Sequence, residues 1–161
     1  MNYEIRGVRE GDLPYLAENL RAADVRELMA TYGHTRFLSG LERSVHLSEE
    51  ALVGLPSGSP HPAMLWGIRQ FTDRAAIIWA CGTPEIFKFP KALVENSRTT
   101  LKRWFVERPS VEYLMNFTHE SNTSHHRWLE WCGADLLPPL PMGPLGENFL
   151  PFTIRRTKYH V

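Results

Sequence analysis

The sequence predicts a mixed α/β fold, α+β in its connectivity, with one central sheet and helices on both faces. Three observations carry this. Some short runs alternate apolar and polar residues at period two, and others repeat apolar residues at helical spacing. In the second half the two kinds of run take turns, which implies some parallel pairing. Met64–Phe71 and Arg74–Cys81 are separated only by Thr72 and Asp73, which implies an antiparallel hairpin.

The elements follow in order. Tyr3–Val8 reads as a strand with Tyr3 and Ile5 on one face. Asp12 is placed to cap a first helix, with Pro14 in its first turn and Leu13, Leu16, Ala17 and Leu20 as its stripe. Asp24–Thr31 predicts a second helix with Val25, Leu28 and Met29 inward and Gly33 as its stop. Thr35–Leu52 predicts a third, on Phe37, Leu38, Leu41 and Val45. Residues 56–62, PSGSPHP, are a loop. The hairpin follows, its second strand apolar almost throughout, as expected of a central strand covered on both faces. Phe89–Val106 is the longest helix, with Pro90 in its first turn and Pro109 beyond its end. Val111–Phe117 is a strand and Asn122–Cys132 a helix closed by Gly133. Residues 135–146 are rich in Pro and Gly and read as a loop. Phe149–Arg155 is a last strand, which Pro151 assigns to an edge or a bulge.

Composition supports a single domain over residues 1–161: with 43% hydrophobic residues the chain can bury a core, and 18 basic against 18 acidic side chains give no net field toward nucleic acid or an anionic membrane. No apolar run reaches the ~20 residues of a membrane helix, and the start has no export-signal design. Cys81 and Cys132 are the only cysteines, which fits a reducing compartment.

The most pointed stretch is NTSHHRWLEWCGA, residues 122–134. His125, Trp128, Leu129 and Cys132 share one helix face, while His126, Arg127 and Glu130 look outward. Asn122 and Ser124 stand at the mouth of a helix beyond a strand end, a place suited to anions and carbonyls. Together with IRGVREGDLPYL, residues 5–16, this stretch resembles two motif blocks of the GNAT acyltransferases. The resemblance implies an acetyl-CoA N-acyltransferase-like sheet, with the cofactor between the strand ending near Cys81 and the one ending near Phe117. The implied contacts are Ala80, Gly82, Lys88, Lys91, Asn122 and Ser124, with Glu85 and His119 as candidate bases.

Two departures bear on that chemistry. CGTPEIFKFPKAL, residues 81–93, has no glycine after Gly82, where the family uses a glycine-rich loop to hold pyrophosphate on backbone N–H groups. Phe87, Phe89 and Pro90 occupy that stretch. Leu129 aligns with the family's Tyr, the general acid, and cannot transfer a proton.

Residues 115–134, MNFTHESNTSHHRWLEWCGA, and 151–156, PFTIRR, resemble the internal virion protein A family of short-tailed bacteriophages, itself GNAT-like. That likeness implies a virion-associated or assembly protein, with phage structural or internal virion proteins as partners, no catalysis and no cofactor. It implies the cytoplasm of an infected bacterial host, or the virion, as location. The alternative is an active acetyl-CoA-dependent N-acetyltransferase. A third reading is a regulator or inhibitor of a host protein, docking through the pocket or residues 136–146.

His119, His125 and His126 cluster, but their spacing fits no common zinc pattern and they read as loop and helix-surface residues, so no metal is expected. Cys132 lies two turns from His125, too far for a nucleophile pair, and reads as a buried small residue. Lys88, Lys91, Arg98, Lys102 and Arg103 form a basic helix surface, read as solvated rather than nucleic-acid-binding. Trp131 lies beside the apolar stripe as a candidate partner contact.

Overall fold

The structure is a computed structural model and describes residues 3–161. Strand β1 is Tyr3–Gly7. Helices α1 (Asp12–Asn19), α2 (Ala22–Tyr32) and α3 (Phe37–Leu47) follow. Then come β2 (Glu50–Pro56), β3 (Met64–Gln70) and β4 (Ala75–Gly82). A 3-10 turn at Pro84–Lys88 leads to α4 (Pro90–Glu107). The chain continues through β5 (Tyr113–His119), α5 (Thr123–Trp131), β6 (Asp135–Leu136), β7 (Leu140–Met142) and β8 (Glu147–Arg155).

These strands form one eight-stranded mixed sheet, ordered β1-β2-β3-β4-β5-β8-β6, with β7 also paired to β8. Every neighbouring pair is antiparallel except β4 and β5. That parallel pair is short. It registers Ala75 with Tyr113, Ala76 with Leu114 and Ile77 with Met115, and goes no further. Each strand continues along its other neighbour, β4 to Gly82 opposite Met64 and β5 to His119 opposite Phe149. The sheet therefore forks. Asn116 closes the apex, its Nδ2 donating to the Ile78 carbonyl at 2.7 Å.

Helices cover both faces. On one, Leu16 and Leu41 of α1 and α3 pack on Val53, Leu55, Leu65 and Cys81. On the other, Leu101, Trp104 and Phe105 of α4 and Leu129 of α5 pack on Ile68, Ile78, Leu114, Phe152 and Ile154. Trp104 and Phe105 are fully buried, and each such side chain contributes about 2–3 kcal/mol through removal of apolar surface from water. Gly33 ends α2 in the left-handed region (φ 75°), its N–H returning to the Met29 carbonyl at 2.8 Å.

Four expectations need correction. Asp12 opens α1 rather than capping it. Its carboxylate accepts the Arg9 N–H at 2.7 Å and pairs with Arg6 of β1 at 2.7 Å, so it fastens strand to helix. The third helix stops at Leu47, because the following residues form β2. Val53 and Leu55 point to one covered face and Gly54 sits against Trp66 and Tyr3 on the other, so no polar alternation marks the strand. Within 135–146, β6 and β7 take up the outer side of β8. Pro151 therefore lies in an interior strand, but its carbonyl accepts from Leu137 N at 2.8 Å, so its missing N–H faces away from β5, toward the gap between β6 and β7. No described helix is long and apolar enough to cross a membrane.

Candidate functional site

The fork creates a cavity. About 290 Å³ of space runs through the gap between β4 and β5, walled by Leu28, Tyr32 and Leu41 on one side of the sheet and by Trp66, Ser97 and Trp128 on the other. A second space of about 170 Å³ adjoins it between the start of α4 and α5, bounded by Gly82, Phe87, Pro90, Ser124 and Arg127. Ala80, Cys81, Leu93, His125 and Trp128 line both, so they form one slot leading into one chamber. Trp66 lines this region, and its buried Nε1 has no hydrogen-bond partner.

Glu27 of α2 reaches into the fork, where β5 no longer pairs with β4. Its Oε1 accepts the His119 backbone N–H at 2.6 Å and its Oε2 accepts Asn122 Nδ2 at 3.1 Å. Burial dominates these bonds and, with the negative charge of Asp24 beside it, pushes the Glu27 carboxyl up to about 7. Across the fork, His125 Nδ1 lies 3.9 Å from Glu27 Oε2 and 3.3 Å from Thr118 Oγ1, with the imidazole stacked on Trp128. Burial first, then the Arg21 and His126 charges, lower His125 to about 3. At neutral pH the chamber thus holds a carboxyl near its midpoint beside a neutral imidazole. A carboxylate tuned to the working pH is what general-base catalysis needs.

A buried network braces this carboxylate. Arg21 grips Asp24 through Nε at 2.7 Å and Nη2 at 3.0 Å. It also donates to Asn122 Oδ1 at 3.1 Å and Ser124 Oγ at 2.8 Å. Asp24 Oδ2 accepts the Gly82 N–H at 2.9 Å, and the Gly82 carbonyl accepts Arg21 N–H at 2.9 Å. One ion pair therefore joins α2, the end of β4 and the start of α5. A Cβ at Gly82 would meet the Ala63 carbonyl at 2.8 Å, so this crossing also requires glycine.

The expected site residues divide. Ala80, Gly82 and Ser124 line the slot. Asn122 is fully buried and occupies the N-cap position of α5, but makes no side-chain cap bond because Arg21 and Glu27 use its amide. Lys88 and Lys91 are exposed, paired with Glu85 at 2.9 Å and Glu95 at 3.9 Å, and line neither space. Glu85 is likewise outside both. His119 is held between Ser121 Oγ at 2.7 Å and Glu147 at 2.9 Å, away from the chamber.

His119, expected at the surface, is buried, and His125 lies on the inner face of α5 shared with Trp128 and Leu129, its side chain largely covered, because the strand end and helix carrying them fold inward at the fork. Burial holds the Cys81 thiol up and pushes Cys132 up to about 12, so neither is a thiolate nucleophile at neutral pH. Of the basic α4 surface, Arg103 is bonded to Glu50 at 2.8 Å and Arg98 Nε to the Trp131 carbonyl at 2.8 Å. No cluster of three or more metal-ligating side chains occurs among the described residues.

Sequence reasoning missed Glu27, Arg21, Asp24 and Trp66. The available signal was positional: Asp24, Glu27, Leu28 and Thr31 share one face of α2, so two acidic residues lie on the side that meets the sheet.

No protein-family model matches the chain, and a search of curated proteins gave no match. Solved structures do match. A GNAT-family acetyltransferase from Bacillus anthracis superposes with a TM-score of 0.72 at 16% identity, over 96% of this chain and 95% of that one. The spermidine N-acetyltransferase of Vibrio cholerae, in complex with CoA and spermine, gives 0.63 at 16% identity over 99% and 98%. The aminoglycoside acetyltransferase AAC(6')-Ib, with paromomycin and acetyl-CoA, gives 0.69 at 15% identity over 99% and 97%. These findings lend no support to the phage likeness. At such identities they establish the architecture: this chain has the fold of the GNAT acetyltransferases.

Proposed function

We propose that the chain is an acetyl-CoA-dependent N-acetyltransferase. The observation that carries this reading is a carboxyl raised to about 7 inside a sheet fork that opens, through a continuous slot, between the starts of α4 and α5. From Ile78 onward β4 has no strand partner on its β5 side, which suits an extended amide-bearing arm, and Trp66 Nε1 is a buried donor without an acceptor. Ala80, Gly82 and Ser124 would border the arm.

The diphosphate end is built differently from a glycine-rich loop. Asp24 already takes the Gly82 N–H. Arg127 at the slot, with no ion-pair partner among the described residues, would supply the counter-charge. Lys88 and Lys91 stand at the same end of α4, in exposed pairs that give way at a cost under about 1 kcal/mol.

Bound acetyl-CoA supplies an activated acetyl thioester. Glu27 takes the proton that an attacking amine must lose. Thr118 and His125 fix the walls of that position, and the Arg21–Asp24 pair fixes α2 behind it. Leu129 is buried in the core and gives no proton to the departing thiol. General acid catalysis is worth about 10²–10⁴-fold, so turnover is expected to be slow.

Titration calorimetry with acetyl-CoA and CoA tests the reading. Micromolar binding, about −8 kcal/mol, supports it. Absence of heat and of thermal shift at millimolar ligand would sink it.

A second reading, a non-catalytic phage virion-associated or assembly protein, would need a contact surface for its partners. Phe87 is 58% exposed over the slot and Trp131 is 48% exposed beside it, giving an apolar contact where a phosphate loop would otherwise lie. Mass spectrometry of purified particles that finds the chain among their structural proteins would support this reading.

A further inference from the structure

We infer that the acceptor chamber takes a small amine with a single positive charge and an apolar or aromatic body, not a polycation. The inference rests on the acetyltransferase reading for its chemistry; its geometry stands independently. On the α1–α3 side of the fork the walls are Leu28, Leu41 and the Tyr32 ring, with the Tyr32 and Ser44 hydroxyls among them and Thr31 exposed at the rim. Glu27 is the one carboxylate lining the chamber among the described residues. Asp24, the nearest other acid, is committed to Arg21 and Gly82.

One ammonium therefore finds one counter-charge. A second ammonium would enter an apolar region unpaired, and burying an uncompensated charge is strongly unfavourable. On the apolar α1–α3 side an aminoglycoside would bury more hydroxyls than the Ser44 and Tyr32 hydroxyls could partner, and each one left unpaired is unfavourable. Size points the same way. About 290 Å³ is at the low end of ligand pockets, roughly 300–1,000 Å³, and the acyl end of the cofactor shares it. In the transfer, the amine nitrogen forms the amide C–N bond as the thioester C–S bond breaks. The bound ammonium gives up two protons: one passes to Glu27 as the nitrogen becomes nucleophilic, and the second, lost as the amide forms, goes to the departing sulfur, which leaves as the thiol.

The test has two parts, so that failure of the inference and failure of the acetyltransferase reading are separable. First, phenethylamine, octylamine, spermine and kanamycin are titrated into the free protein. The monoamines are expected to bind at least tenfold tighter than spermine or kanamycin, and Glu27→Gln to lose about tenfold for octylamine. Equal or tighter binding of the polycations, or no binding of the monoamines, overturns the inference whatever acetyl-CoA does. Second, thiol release from acetyl-CoA is followed with octylamine and with 1,8-diaminooctane. The diamine is expected to be the poorer acceptor by tenfold or more, and Thr31→Glu, at the exposed rim, to narrow that gap several-fold. A diamine preference in the unaltered protein overturns the inference while leaving the acetyltransferase reading in place.

Discussion

At the residue scale the molecule turns on Glu27 and His125, whose titrations pull stability in opposite directions. Glu27 is raised to about 7 from 4.5, so its contribution is fully present below the unfolded value and is lost as pH rises toward 7. His125 is lowered to about 3 from 6.5, so its contribution is present above 6.5 and is lost as pH falls toward 3. Thermal melts from pH 4 to 8 check both. Glu27→Gln is expected to remove the loss between pH 5 and 8 and keep the acid-side loss. In assays with acetyl-CoA and octylamine, kcat/KM is expected to rise through about pH 7, and Glu27→Gln to lower kcat by 10²-fold or more. A flat profile in the unaltered protein would remove Glu27 from the base role. The sequence displayed this residue without displaying its role. Glu27 sits in RELM, where an acidic side chain on an amphipathic helix is ordinarily solvated; only the fork gives it a buried destination. Asn122, by contrast, was legible as important from its place before an apolar helix, though its bonds run to Arg21 and Glu27 rather than to the helix end.

At the element scale, legibility followed whether a face met water. The first two helices, the hairpin, β5 and α5 showed clear periodicity and lie within two or three residues of expectation. β2 did not, because both of its faces are covered, and two- and three-residue strands such as β6 and β7 are too short to carry a pattern. The fork itself left no mark in the sequence beyond Asn116, a polar residue within β5. Its amide holds the Ile78 carbonyl at the point where pairing ends. Asn116→Ala leaves that carbonyl without its partner and is expected to cost about 1–3 kcal/mol in urea unfolding. Faster hydrogen exchange at amides near the fork should accompany it, with β1–β3 unchanged. Uniform acceleration over the whole sheet would show that Asn116 supports the core generally rather than the apex.

At the scale of the whole molecule, the two helical layers meet through the gap in the sheet, and the meeting is ionic. Arg21 and Asp24 come from the α1–α3 layer, Asn122 and Ser124 from the α5 side, and Gly82 from the sheet between them. Both charged side chains are almost wholly buried, at 8% and 2% exposure. A buried pair of this kind contributes little net stability when intact, since desolvation offsets attraction, yet removing one partner strands the other charge. Arg21→Met is therefore expected to cost about 3–5 kcal/mol and Asp24→Leu a similar amount. The double variant should be less destabilised than either single one, with a coupling of 1 kcal/mol or more in a denaturant double-mutant cycle. The same cycle read as acetyl-CoA affinity separates two roles for the network. If it only holds the layers together, the stable double variant binds as tightly as the unaltered protein. If it poises Gly82 and Ser124 against the cofactor arm, the double variant stays folded and loses affinity tenfold or more. The second outcome is expected, because the Gly82 N–H and the Ser124 hydroxyl at the slot both lose their partners.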